Sequence, residues 1–330
     1  MEARFKISVI IPVYNAEKYI EKCANSLFRQ TLLDTEFIFI NDCSSDNSLD
    51  LLHNILEKYP DCKKRVRIYN NENNIGAASS RNKGLSVSEG KYITFCDSDD
   101  WLENDAYEKL YLEAIKYDSD IIWSDFYVTG DGKETYSSQN YGEDNISCIR
   151  ALLEEKMHGA LWNKMFKCTF LLKHDIRFNA GADLWEDLYF SVQAFGAAMK
   201  INYIKSAFYH YNICNIQSVS SRDFMRNMSD AVINTEAIVS FLIQKEWYSE
   251  INHSVNLLKL ASKRFILFSL NINDFKRWNQ IFPEANEYIF SFAYLPFHLR
   301  VLGWCASKEY FGIIKSWIFI KKIKVKALKK

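Results

Sequence analysis

Proline and glycine are scarce, with 4 and 11 among 330 residues. So few chain breakers exclude collagen-like and low-complexity chains, and 48% apolar residues with 15% aromatics exclude a disordered one. Net charge is absent as well, because 41 basic side chains meet 41 acidic ones. A body without excess positive charge excludes a chain-wide nucleic-acid footprint. No run of about 18 uncharged apolar residues occurs, so no spanning helix is expected. The opening MEARFKISVIIPVYN lacks the layout of a secretory signal, which sets the expectation of a cytoplasmic protein. The eight cysteines include no CxxC pair, since no two are closer than 19 residues. Several sit in apolar runs such as YITFC and are expected as buried, reduced thiols. Both common phosphate loops, GxGxxG and GxxxxGK(S/T), are missing too.

What is present is length and order. The chain is long enough for a large core, and for two domains or one domain with an appendage. Residues 1–126 alternate between strand and helix patterns. Ile7–Tyr14, Glu36–Asn41, Val66–Tyr69, Tyr92–Cys96 and Asp120–Phe126 read as strands. Glu17–Arg29, Ser45–Tyr59, Gly76–Val87 and Glu103–Tyr117 read as the helices between them. Such alternation gives an α/β fold with a mostly parallel, Rossmann-like sheet and helices on both faces. Ligands then bind at the carboxyl ends of the strands. Beyond residue 130 the pattern weakens. Gly130–Gly142 reads as a loop, Asn145–Lys156 and Trp185–Ala198 as helices, Tyr203–Asn212 as a strand, and the chain from Arg222 as largely helical.

The polar residues at those strand ends carry the chemistry. Asp97, Ser98, Asp99 and Asp100 follow a buried strand, and three carboxylates within four residues repel one another. That crowding leads us to expect a hard divalent ion, Mg²⁺ or Mn²⁺, shared with a diphosphate. The plainer alternative is an acidic turn in which Asp100 caps the next helix. Asp42 ends the second strand, where it can accept from a base or ribose, while Asp46 suits a helix cap. Gly76 and the small residues after it allow close packing at a helix start, with Arg81 and Lys83 bringing positive charge.

These segments, in this order, closely resemble the family 2 glycosyltransferases of the GT-A fold, of the bacterial surface-polysaccharide type. The motifs are IIPVYN (10–15), NDCSSD (41–46), the NxGxxxxRNxG pattern from Asn74, and DSDD (97–100). The resemblance covers residues 6–126 and, less closely, 158–220. It implies a base pocket lined by Pro12, Tyr14 and Asn15, with Asp42 on the base or ribose. It places Arg81 near the diphosphate or ribose, Asp97 and Ser98 at the ribose and metal, Asp99 on the metal, and Asp100 at the donor sugar. It implies a nucleoside diphosphate sugar as donor, UDP-linked, and Mg²⁺ or Mn²⁺ as cofactor.

The segment Leu184–Phe190 resembles the family's ED stretch, which implies Asp187 as general base with Glu186 in reserve. Its alternative is an ordinary helix start with acids in the first turn. Leu161–Phe166 resembles a stretch of many bacterial members and is read either as shaping the acceptor side or as a core Trp162 with a surface Lys164. His210 is read as an additional metal ligand or as a buried strand histidine. Gln217–Arg222 resembles the family's mobile loop, or else is a polar linker. The implied domains are a nucleotide-sugar half (1–126), an acceptor half with the base (127–221) and a helical C-terminal region (222–330).

Residues 300–330 carry nine basic side chains against one acid, Glu309, a surplus of eight that leaves the remainder equally acidic. The apolar stretch Tyr310–Ile320 runs into lysines at 321 and 322, a pattern that suits a helix lying on an anionic membrane surface. The expectation is an inverting hexosyltransferase, peripheral on the inner face of the cell membrane, acting on a glycan or polyprenyl-linked acceptor. Two rivals are a sugar nucleotidyltransferase, against which PVYNAEKY in place of a glycine- and base-rich loop argues, and a non-catalytic nucleotide- or glycan-binding protein.

Overall fold

The computed structural model describes residues 3–142, 144–215 and 224–328. It divides into two compact units, Met1–Ser221 and Arg222–Lys330.

In the first unit the strands are β1 (Phe5–Val13), β2 (Thr35–Asn41), β3 (Val66–Asn70), β4 (Gly90–Phe95), β5 (Trp101–Leu102), β6 (Ile121–Gly130), β7 (Lys133–Ser137), β8 (Lys164–Lys167) and β9 (Ile201–Asn212). The helices are α1 (Ile20–Phe28), α2 (Ser48–Glu57), α3 (Ala77–Val87), α4 (Ala106–Lys116), α5 (Asn145–Leu153), α6 (Cys168–Lys173) and α7 (Glu186–Ala197). They build one mixed, mostly parallel sheet in the order β3-β2-β1-β4-β8-β6-β9-β5, with β7 paired to β6. Strands β3, β2, β1 and β4 are parallel to one another, and β6 is parallel to β9. The short β8 runs antiparallel between β4 and β6 and joins the two parallel parts.

The continuous apolar run of β1 is explained by burial on both faces. Ile7, Val9, Ile11 and Val13 enter a core shared with Ile20, Cys23, Leu27 and Leu110 of α1 and α4. Ile10 points the other way, against α3. A Cβ on Gly84 would lie 2.4 Å from the Ile10 Cγ2, so only glycine lets α3 approach this closely. Gly76 opens the same helix at φ +87°, and a Cβ there would meet the Asp183 carboxylate at 2.3 Å. Both glycines of the 74–84 motif thus have a packing reason.

Two readings of the acceptor half need correction. Gly130–Gly142 is not simply a loop. It contains β7, which forms a hairpin with β6, and its side chains are largely exposed. Lys164 is not on the surface. Its side chain is fully buried and Nζ donates to the carbonyl oxygens of His158 and Ala160 and to Asn163 Oδ1. Trp162 is the core residue of the pair, 4% exposed and stacked on Tyr209 at 4.4 Å.

The second unit is helical, with α8 (Phe224–Gln244), α9 (Asn252–Lys263), α10 (Ile272–Lys276), α11 (Phe297–Ser307) and α12 (Phe311–Leu328). On α12, Ile314 and Ile318 are buried while Ile313, Phe319 and Ile320 are exposed. None of the described helices is long and apolar enough to cross a membrane. The stretch Gln217–Arg222 and the last two lysines lie outside the described residues.

Candidate active site

The site is assembled where β1, β2 and β4 end, against the first turn of α7. After β1 the chain turns at Asn15 with φ 49°. The Asn15 backbone N–H donates to Ser44 Oγ at 3.1 Å, and its side-chain oxygen accepts from the Ser45 N–H at 2.9 Å. Asn15 therefore ties the β1 loop to the β2 loop. Pro12 is half-buried beside it, and the Tyr14 ring stands 46% exposed, open to stacking. Asp46 accepts from the backbone N–H groups of Glu17 and Ser48, both at 3.0 Å, in the capping position before α2.

Asp42 is buried and its carboxylate is already satisfied. It accepts from Asn71 Nδ2 at 2.8 Å and from the N–H groups of Ile75 and Gly76, each at 2.9 Å. It holds the loop that leads into α3.

The three aspartates after β4 are each compensated separately. Asp97 accepts from Arg81 Nη2 at 2.9 Å. Asp99 accepts from Asn215 Nδ2 at 2.7 Å, and burial followed by its neighbour Asp97 pushes its pKa up. Asp100 points into the protein, where Tyr209 OH and the Asn212 N–H each donate to it at 2.7 Å. Burial, then Asp99 and Asp97, hold its pKa well above the carboxylate range. Asp100 thus turns inward, and protein donors offset part of the crowding while the raised pKa values of Asp99 and Asp100 show that mutual repulsion remains. Only Asp97, Ser98 and Asp99 remain partly exposed at the strand end.

Arg81 links this cluster to α7. Its Nη1 donates to Glu186 Oε1 at 2.6 Å while Nη2 holds Asp97. Burial would lower its pKa, but Asp97, Glu186 and Asp187 outweigh that and raise it. One guanidinium serves two carboxylates, and burial lifts Glu186 to about 8. Buried and paired, Glu186 is not placed to act as a reserve base. Asp187 is partly exposed, in the first turn of α7, with Oδ1 accepting from the Leu188 N–H at 2.7 Å. The helix begins at Trp185, a non-glycine residue in the left-handed region with φ 68°. Below it, Phe190 packs on Phe178 at 4.4 Å and on Phe95 and Phe166, seating α7 against the β4–β8 edge.

A loop beside Asp187 was not singled out from the sequence. The Gly159 carbonyl accepts from Ser191 Oγ at 2.8 Å, which docks residues 158–160 on α7. His158 Nδ1 accepts from the Ala160 N–H at 3.2 Å, and burial lowers its pKa while Asp187 raises it. Asn212 and Asn215 at Asp99 were missed as well, since asparagines in a polar stretch carry no spacing signal.

His210 stands apart from the aspartates. Nε2 faces Glu103 at 2.9 Å and Nδ1 faces Glu134 at 2.8 Å. The ring is stacked between Trp101 and Tyr127 at 5.2 and 5.0 Å. It sits as a buried strand histidine, held between two glutamates. Among the described residues no three His, Cys, Asp or Glu side chains are grouped to hold a metal alone. Asp97 and Asp99 nevertheless offer carboxylate oxygens at an accessible edge. Hard divalent ions suit such a pair when phosphate oxygens and water complete the shell.

The sequence pattern of "Glycosyl transferase family 2" matches residues 8–175. The chain is 34% identical over 223 residues to the putative glycosyltransferase EpsH of Bacillus subtilis, covering 66% of this chain and 63% of EpsH. It therefore spans less than two thirds of that relative. It is 30% identical to the cholesterol galactosyltransferase of Borreliella burgdorferi over 294 residues, covering 82% of this chain and 78% of that one. Among solved structures, residues 1–349 of S. aureus TarS superpose with a TM-score of 0.68 at 20% identity, covering 93% of this chain and 88% of that one. The same protein in complex with UDP-GlcNAc gives 0.64 at 21% identity, covering 93% and 89%.

Proposed function

The chain belongs to glycosyl transferase family 2, and on that premise we propose that it moves a sugar from a nucleoside diphosphate donor, UDP-linked, to a hydroxyl of a glycan acceptor with inversion. The observation that carries this reading is the Arg81 bridge, which sets the accessible Asp97–Asp99 edge beside the first turn of α7, where Asp187 sits. The UDP-GlcNAc held by TarS supports a UDP-linked donor.

In this reading Tyr14 stacks on the base and Asp97 takes a ribose hydroxyl. Asp97 and Asp99 would hold Mg²⁺ or Mn²⁺, which when bound neutralises charge on the departing diphosphate. Asp187 accepts the proton of the acceptor hydroxyl as that oxygen bonds to the anomeric carbon. The bond from that carbon to the diphosphate breaks, and the nucleoside diphosphate leaves with its electron pair. A single accessible carboxylate opposite the leaving group gives one displacement and hence inversion. Arg81 is a positioning residue, fixing Asp97 and, through Glu186, the start of α7.

The acceptor in this proposal is a growing surface glycan, free or on an isoprenoid carrier. Exposed Ile313, Phe319 and Ile320 lie on α12 with exposed Lys315 and Lys322, and we assign this helix to an anionic membrane surface. A screen of nucleotide sugars for released nucleoside diphosphate tests the activity. Metal-dependent release from at least one UDP-sugar is expected, and no release from any would refute it.

A further inference from the structure

We propose that the cavity between the start of α1 and the β6–β7 hairpin is a second anion site, which takes a phosphate group of the acceptor next to the donor. The assignment of that phosphate to the acceptor rests on the glycosyl-transfer reading. The cavity measures about 470 Å³, and Lys18, Lys22, Lys133, Trp101, Asp99 and Glu134 are among the residues that line it.

Its charges are unevenly committed. Glu134 lies against His210 at 2.8 Å, and Asp99 accepts from the neutral Asn215 amide at 2.7 Å, which directs its carboxylate without cancelling its charge. The remaining acid, Asp131, stands on the exposed hairpin tip. Among the described residues, none of the three lysines has a carboxylate within 4 Å. Lys22 is the most constrained of them. Its ammonium lies over the Trp101 ring, while His210 stacks on that ring at 5.2 Å. Burial lowers the Lys22 pKa, with Glu134 opposing. A partly desolvated ammonium with no carboxylate in contact is relieved by a ligand anion. The start of α1 adds a favourable dipole for negative charge.

Location argues against the donor's own phosphates. The lining shares only Asp99 with the donor groups and includes none of Pro12, Tyr14, Arg81 or Asp97. A phosphate held by the lysines would reach the donor only at Asp99. The ligand class is therefore a phosphorylated acceptor, either an isoprenyl pyrophosphate carrier or a polyol phosphodiester.

The test is calorimetric titration of the full chain with inorganic pyrophosphate in EDTA, repeated with UDP at saturation. Binding that survives UDP and weakens at least tenfold in a Lys22→Gln, Lys133→Gln double variant is expected. Unchanged affinity in that variant, or complete displacement by UDP, would overturn the site. Geranyl pyrophosphate and a glycerol phosphodiester then distinguish the source. Tighter binding of either than of pyrophosphate supports an acceptor site, and weaker binding of both overturns that assignment. Wild-type turnover of UDP-sugars keeps the readings separable: turnover without a pyrophosphate site sinks this inference alone, while a pyrophosphate site without turnover sinks the activity alone.

Discussion

Arg81 and Glu186 form a buried hydrogen-bonded pair at 2.6 Å that ties α3 to the first residue of α7. The same guanidinium holds Asp97 at 2.9 Å, so one side chain spans both halves of the proposed site. Removing one partner of a buried pair leaves an uncompensated charge and costs about 3–5 kcal/mol. Arg81→Ala should lower urea stability by roughly 3 kcal/mol and reduce donor turnover at least 100-fold. Stability within about 0.5 kcal/mol of wild type would show that the bridge holds nothing together.

The pH dependence has a defined sign. The folded pKa of Glu186, about 8, lies above its ordinary 4.5. Its contribution to stability is therefore complete below 4.5 and lost as pH rises through about 8. Denaturant unfolding from pH 5 to 9 should show wild type losing roughly 4 kcal/mol relative to Glu186→Gln. Parallel curves for the two proteins would contradict the assignment.

Asp42 and Tyr14 should separate structure from binding. Asp42→Asn turns one acceptor into an amide facing an N–H, which costs about 2 kcal/mol and frees the loop at residues 71–76 to exchange amide hydrogens faster. Tyr14→Ala should leave stability unchanged and weaken UDP binding roughly fivefold to tenfold, as the loss of one stacking contact implies. The reverse pattern would return Asp42 to the role of a direct ligand contact.

The membrane assignment calls for surface changes rather than truncation, because Ile314 and Ile318 are buried and shortening the chain would open the core. Ile313→Asp with Phe319→Asp should abolish sedimentation with anionic vesicles while the thermal midpoint stays within about 2 °C of wild type. Undiminished sedimentation would exclude α12 as the contact.

Much of this architecture was legible because it is local. The β1 run, the strand–helix alternation and the two motif glycines each carry a short-range pattern, and β1, α3 and β4 stand where those patterns place them. Strands β7 and β8 were not legible. They are short; β7 is mostly polar and is defined by its hairpin with β6, and β8 by pairing with distant β4 and β6. Within DSDD the residue types are visible but not their directions. Tyr209 and Asn212, more than 100 residues away, turn Asp100 inward. The same distance hides the pairing of Arg81 with Glu186, which separates that acid from Asp187. Lys164 reads as a surface charge until three oxygen acceptors account for its burial.

The most direct test is UDP release from a UDP-sugar with added Mg²⁺ or Mn²⁺, compared among wild type, Asp99→Asn, Asp187→Asn and His210→Gln. Wild type and His210→Gln should turn over in a metal-dependent manner. Asp99→Asn should lose at least 100-fold and weaken metal-dependent UDP binding, whereas Asp187→Asn should lose as much turnover with UDP binding intact. Full turnover in either aspartate variant, or a metal response carried by His210, would contradict the account.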